Sequence, residues 1–305
     1  MSKLPVFSVV TVCFNAGNLI RKTIESVLAQ DFHASSSDVG FEYVIQDGAS
    51  KDNTLEIVNE YKDRFEAKGI KLIINSEKDG GIYDAMNKGV KASSGEYVIF
   101  MNADDCFYSE SVLSDVFASL NIENSDDISA TADSYDTSKL PDIIYGDCVV
   151  KELGMYFMFR KCFDLIKERM PFSHQACIAK RELLLENPLN PEYRITADYC
   201  FILGSYLNGK SFHDSNVIIA LVTADGLSSL HMFDTFVEVN SVCRKLGVPR
   251  FDESGYNNKL KEMKLKQFVL SHFPKFIVKA IRKKQISGRG QSISASDLNI
   301  PSWAK

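Results

Sequence analysis

The sequence predicts an α/β protein, with a Rossmann-like, mainly parallel sheet, helices on both faces and a helical C-terminal extension. Three observations predict it. Strand-like apolar runs alternate with helically spaced segments through the first hundred positions, which implies right-handed crossovers between parallel strands. The strand runs are continuously apolar rather than alternating, as expected when both faces are covered. Each run ends in a short polar cluster, the last being Asp104-Asp105 after Tyr97-Val98-Ile99-Phe100-Met101-Asn102.

In order, Val6 to Val12 is the first strand. Asn15 and Gly17 signal a helix start, and Leu19, Ile20, Ile24, Val27 and Leu28 recur at helical spacing. His33 to Gly40 is a Ser-rich loop before a second strand, Phe41 to Gln46. Leu55, Ile57, Val58 and Tyr61 predict one helix over Asn53 to Phe65. A strand (Ile70 to Ile74), a short helix (Ile82 to Ala92) and a strand (Tyr97 to Met101) follow. Ser111 to Leu120 reads as a helix. Asn121 to Leu140, rich in Asp and Ser, reads as a mobile surface loop. Short strands are expected from Ile143 through Phe159 and around Gln175 to Ala179. Then come a helix (Ala197 to Leu207), a strand (Val217 to Val222) and a helix (His231 to Leu246). Lys261 to Lys284 is a basic segment interrupted by Pro274, and the Gly- and Ser-rich tail from Ser287 reads as disordered.

With 305 residues, 45% hydrophobic and 25% charged, the chain can build one large domain with an appendage. A net charge of −5 gives no reason to expect nucleic acid as a partner. Positions 261–290 carry nine Lys or Arg and one acid, Glu262, so the remainder is distinctly acidic. Seven scattered cysteines without a CxxC pair argue against a zinc site or disulfide framework and favour a reducing compartment. The N-terminus lacks a signal-peptide pattern, and no apolar run approaches the roughly 18 residues of a membrane span. A cytoplasmic protein, able to sit on the cytoplasmic face of the inner membrane, is expected.

The chemistry lies in the polar clusters. They are Cys13-Phe14-Asn15-Ala16-Gly17, Asp47-Gly48-Ala49-Ser50 with Asp52, the stretch Glu77 to Gly89, and Asp104-Asp105. Parallel strands bring all four to one crevice at the carboxyl edge of the sheet, where ligands of such folds bind. Adjacent carboxylates repel unless a cation or donors offset them, and Mg²⁺ usually pairs one or two carboxylates with substrate phosphates. Asp104-Asp105 also reads as a turn capping the helix near Ser109.

Val9-Val10-Thr11-Val12-Cys13-Phe14-Asn15, Gln46-Asp47-Gly48-Ala49-Ser50-Lys51-Asp52, Asp79-Gly80-Gly81-Ile82-Tyr83-Asp84-Ala85-Met86-Asn87-Lys88-Gly89 and Asn102-Ala103-Asp104-Asp105 resemble the signature of inverting family 2 glycosyltransferases. The resemblance implies a GT-A fold, with a catalytic domain over 1–225 (nucleotide-sugar half about 1–105, acceptor half about 140–225). A helical region over 226–286 and the tail over 287–305 would follow. It also implies a nucleotide-sugar donor, UDP-linked by preference, and a divalent metal, Mg²⁺ or Mn²⁺. By position, Phe14 would line the base pocket beside Val12 and Asn15, and Asp47 would hydrogen-bond the base. Asp79 and the helix after it, with Asp84 and Asn87, would close over the nucleotide. Asp104 would meet the ribose or sugar, and Asp105 would ligate the metal. Asp84 and Asn87 read as well as plain helix surface.

Downstream, Pro171-Phe172-Ser173-His174-Gln175-Ala176 and Ile195-Thr196-Ala197-Asp198-Tyr199 resemble the family's acceptor-side motifs. They imply that Asp198 is the catalytic base and that His174 and Gln175 touch acceptor or diphosphate. The family's usual Glu before that Asp is Ala197 here. As a bare sequence feature, Asp198 is also a first-turn acid that favours a helix dipole, and His174 a hydrogen-bonded structural residue. The implied reaction moves a sugar with inversion onto a saccharide or lipid-linked acceptor in polysaccharide biosynthesis. The rivals are a nucleotidyltransferase and a non-catalytic nucleotide-sugar-binding protein. The former should carry a Gly-rich triphosphate loop after the first strand, unlike residues 13–17. Within 261–284, Leu265, Phe268, Val269, Phe273, Phe276, Ile277, Ala280 and Ile281 form an apolar stripe flanked by basic residues. That pattern suits peripheral membrane contact, or a packed helix with snorkelling lysines.

Overall fold

Phe7–Cys13 (β1) is buried along its whole length because the sheet is covered on both sides. Val9 enters an apolar layer with Ile24, Tyr43, Ile45, Phe65 and Val112, while the next residue, Val10, enters the opposite layer with Val44, Met86, Val90 and Leu183. The two layers follow from the two-residue side-chain period of a strand. The computed structural model describes residues 5–32, 40–120, 140–152, 155–223, 231–272, 292–293, 298 and 303.

After β1 come α1 (Ile20–Leu28), β2 (Phe41–Asp47), α2 (Thr54–Asn59), α3 (Lys62–Ala67), β3 (Lys71–Ser76), α4 (Ile82–Ala92) and β4 (Tyr97–Phe100). β5 (Cys106–Phe107), α5 (Val112–Ser119), β6 (Ile143–Glu152), β7 (Met155–Phe159), β8 (Cys177–Lys180) and α6 (Arg181–Glu186) follow. The last elements are α7 (Ala197–Leu207), β9 (Phe212–Thr223), α8 (Met232–Lys245), α9 (Glu253–His272) and β10 (Ser292–Ile293). Strands 3-2-1-4 are parallel, as expected of the first hundred residues. Beyond β4 the sheet turns mixed: β8 pairs antiparallel with β4 and β6, β7 with β6, and β9 runs parallel to β6. The strand order reverses at the β1–β4 junction, which places the crevice beyond those strand ends.

Two expectations change. The helix expected over Asn53 to Phe65 is two, α2 and α3. The chain tightens to i→i−3 bonds at Glu60 and Tyr61, and the Tyr61 ring packs into the core with its hydroxyl on Glu25. The strand expected from Val217 begins at Phe212, since a bulge around Asn216, whose φ is +56°, lets its polar start pair with β6. Of the tail read as disordered, only positions 292, 293, 298 and 303 are among the described residues. Ser292–Ile293 pair with Tyr156–Phe157, and Leu298 is buried with Cys106, Val149, Tyr156 and Leu221. The expected loop at 121–139 and positions 273–284 of the basic segment lie outside the described residues.

Two buried polar residues on β2 contrast. Glu42 accepts from Ser8 Oγ, Ser94 N–H and Oγ, and Lys71. Gln46 is fully buried, and neither amide atom has a partner. An unsatisfied buried polar group costs about 1–3 kcal/mol. Gln46→Met conserves volume and removes that cost, so it is expected to raise the thermal midpoint by about 2 °C or more. A scanning-calorimetry midpoint below wild type would show that the amide is satisfied in solution.

Candidate active site

Non-glycine residues with positive φ mark the crevice. Asn15 (φ +50°), Ala49 (+62°) and Asp104 (+86°) follow β1, β2 and β4, and such strain persists only where surrounding contacts over-determine it. Those contacts are visible. Asn15 Oδ1 accepts from Lys51 N–H at 2.8 Å, and Asn15 N–H donates to Ser50 Oγ at 2.8 Å. The Asp104 amide donates to Thr23 Oγ of α1, while Thr23 Oγ donates to the Asp105 carbonyl at 2.7 Å.

On the donor side, the Phe14 ring is 63% exposed at the crevice mouth, and Val12 is buried beneath α4. A Cβ on Gly48 would lie 2.6 Å from Asp79 Oδ2 and 3.3 Å from the Phe14 ring. The second loop therefore passes close to both side chains at Gly48. Asp79 Oδ1 accepts from Gly81 N–H at 2.9 Å. An exposed aromatic face and a half-exposed carboxylate thus sit side by side.

Four expected donor residues have other work. Asp47 is fully buried, and its oxygens accept from Ser50 N–H, Ser50 Oγ, Ser76 Oγ (2.7 Å) and Cys13 Sγ (3.7 Å). That set fills the roughly four lone-pair sites of a carboxylate, so Asp47 holds its turn and leaves no oxygen for a base. Asn15 ties the first loop to the second, as above. Asp84 accepts from Gly80 N–H at 2.9 Å and pairs with Lys88, tying the turn before α4 to its first residues. Asn87 exchanges hydrogen bonds with the backbone of Leu189 (2.7 and 2.9 Å), clamping α4 to the acceptor half.

Asp104 is ion-paired with Lys22 of α1 and accepts from Thr223 Oγ at 2.7 Å. Asp105 is buried, and Gln175 Nε2 donates to its Oδ2 at 2.7 Å. Burial pushes the Asp105 carboxyl up to about 7; Gln175 and Lys22 oppose this, and the Asp104 charge adds to it. Among the described residues no cluster of three His, Cys, Asp or Glu could hold a metal alone. Asp105 fits an ion whose other ligands come from a substrate, because a cation would offset the charge that burial disfavours. Trp303, in the tail, lines a cavity of about 490 Å³ with Arg21, Lys22, Glu25 and Asp104.

On the acceptor side, Asp198 is the second residue of α7. Its Oδ1 accepts from Tyr199 N–H at 2.8 Å and lies 3.2 Å from the Tyr83 hydroxyl, which donates to the Ile195 carbonyl at 2.6 Å. Burial, with the Asp198 charge second, raises the Tyr83 phenol, so it stays a donor. His174 Nδ1 faces Asp198 Oδ2 at 3.6 Å, and its Nε2 meets Asn102 Nδ2 at 3.1 Å. Burial lowers the His174 pKa and Asp198 opposes it, favouring a neutral ring. Gln175, expected on acceptor or diphosphate, donates to Asp105, so one 3₁₀ turn (His174–Ala176) touches both carboxylates through successive residues. Lys22, Asn102, Thr223 and Tyr83 were given no role from sequence. Lys22 lies on a regular helix, and Thr223 comes 119 residues after the Asp104 it contacts, so no local pattern links the pair.

The family model described as "Glycosyl transferase family 2" matches residues 8–184. The PGL/p-HBAD biosynthesis glycosyltransferase of Mycobacterium tuberculosis is 31% identical over 209 residues, 67% of this chain and 71% of that protein. Among solved structures, residues 1–349 of S. aureus TarS with UDP-GlcNAc align with a TM-score of 0.57 at 19% identity, covering 87% of this chain and 73% of that one. The Pyrobaculum calidifontis mannosyltransferase PcManGT with GDP-Man and Mn²⁺ aligns at 0.58 and 15% identity, covering 95% and 77%. These two likenesses show the fold. With a matched family model over more than half its length, this chain belongs to glycosyl transferase family 2 and is a glycosyltransferase.

Proposed function

We propose that the protein moves a sugar from a UDP-linked donor to a hydroxyl of a saccharide or lipid-linked acceptor, with inversion at the anomeric carbon, in the building of a surface glycan. The observation that carries this reading is the His174-Gln175 turn, which touches Asp198 with one residue and Asp105 with the next. Inversion needs a base on the face opposite the leaving group, and this turn braces the carboxylate read as base with one residue and the carboxylate read as metal ligand with the next.

Asp198 takes the proton of the acceptor hydroxyl while Tyr83 and His174 hold its carboxylate. Phe14 stacks on the base, and Asp79 replaces Asp47 as acceptor of the base N–H, since its carboxylate lies beside the Phe14 ring with surface still open. Asp104 with Lys22 borders the ribose and phosphates. Asp105 would hold Mg²⁺ or Mn²⁺, which would offset charge developing on the departing diphosphate. The TarS complexes with UDP and UDP-GlcNAc and the Mn²⁺ complex of PcManGT support the donor and metal assignments. The two halves, about 1–105 and 140–225, take the donor and acceptor. No described helix is long and apolar enough to cross a membrane. Exposed Leu265 and Phe268 on α9, beside Lys264 and Lys266, support peripheral contact with an anionic bilayer, as a lipid-linked acceptor would require.

Purified protein offered a panel of nucleotide sugars with Mn²⁺ is expected to release nucleoside diphosphate from one UDP-linked donor and to stop on chelation. No release, together with no nucleotide binding by calorimetry, would overturn the reading.

A further inference from the structure

We propose that Glu238, on α8 in the C-terminal helical region, is a positioning residue for Asp198; this rests on reading Asp198 as the base. The first N–H groups of a helix lack intrahelical partners, and Thr196, at the α7 N-cap, makes no side-chain capping bond. Glu238 takes over. Its Oε1 accepts from Arg194 N–H at 3.1 Å, and its Oε2 accepts from Ile195 N–H (2.9 Å), Thr196 N–H (3.1 Å) and Thr196 Oγ (3.1 Å). One carboxylate therefore grips three successive peptides directly before the residue pair Ala197-Asp198.

The grip reaches the reacting group through Ile195. Its N–H is held by Glu238 and its carbonyl by the Tyr83 hydroxyl, which also faces Asp198 Oδ1. The α8 helix is itself fixed on α7, where Tyr199 and Leu203 pack against Val239, Val242 and Cys243. The residue next to the base thus anchors the helix that carries Glu238. A carboxylate held between Tyr83, His174 and its own helix start cannot swing without breaking this clasp.

The test compares Glu238→Ala, Glu238→Gln and Asp198→Asn for sugar transfer, UDP affinity by calorimetry, and thermal midpoint. Glu238→Ala is expected to lower kcat about 10–100-fold, the scale of a base displaced by about an ångström, with UDP affinity and donor KM unchanged. Glu238→Gln keeps one oxygen for Ile195 and Thr196 but turns an amide donor toward Arg194, so its kcat should fall between alanine and wild type. Wild-type kcat in Glu238→Ala would overturn the proposal. So would a parallel loss of kcat, UDP affinity and thermal midpoint, which marks a general folding role. Full transfer by Asp198→Asn would instead remove the base assignment, and the proposal with it, whatever Glu238 does.

Discussion

Asp198→Asn is expected to lower sugar transfer by about 10²–10⁴-fold, the usual contribution of a general base, while leaving UDP affinity at the wild-type value. The substitution keeps the shape and removes the basic oxygen. The amide carbonyl can still accept from Tyr199 N–H, and Tyr83 keeps its stronger bond to the Ile195 carbonyl. The start of α7 therefore has no reason to unravel, because Glu238 and not Asp198 satisfies the peptides before it. Phe14 and Asp79, proposed to hold the donor base, follow β1 and β3, away from α7. A rate loss confined to kcat places the residue at the reacting hydroxyl. Equal losses in UDP affinity would move Asp198 to a structural role, and unimpaired transfer would require another base.

The donor half was legible because its chemistry is local. A strand, a loop and a helix recur within about thirty residues, and the loops Asp47-Gly48, Asp79-Gly80-Gly81 and Asp104-Asp105 announce close approach of backbone and charge. What sequence could not divide was the work among these acids. Asp47 and Asp79 both stand in loops after strands, yet Asp47 is saturated by Ser50 and Ser76, whereas Asp79 stands beside an exposed ring. Saturation depends on partners as much as 34 residues apart, and residue type alone does not reveal it. The acceptor half was less legible for the same reason, enlarged. Glu238 is an ordinary polar residue on an amphipathic helix until α8 is docked against residue 195, 43 positions earlier.

Asp105→Asn should separate function from stability. Transfer is expected to fall about 10²–10³-fold, since a metal ion supplies several kcal/mol of charge stabilisation to the transition state and each 1.36 kcal/mol is a factor of ten. The affinity for Mn²⁺ in the presence of UDP, read by the loss of free-ion signal in electron paramagnetic resonance, should weaken with it. The thermal midpoint without metal should not fall. A buried carboxylate with its pKa pushed up to about 7 is a charge the apo-protein holds at a cost, so its neutral counterpart relieves the fold. The amide introduced by the substitution can still accept from Gln175 through its carbonyl oxygen. A structural acid behaves in the opposite way: its removal lowers the midpoint and leaves Mn²⁺ affinity unaltered. That pair of results would make Asp104-Asp105 a strained turn held by Thr23, Lys22 and Thr223, and would require the diphosphate to leave without the cation. The strain itself argues against this. A positive φ at Asp104 and a buried charge at Asp105 are two destabilising choices at adjacent positions. A fold selected only for stability would keep neither, whereas one that must hold a cation against a leaving diphosphate has use for both.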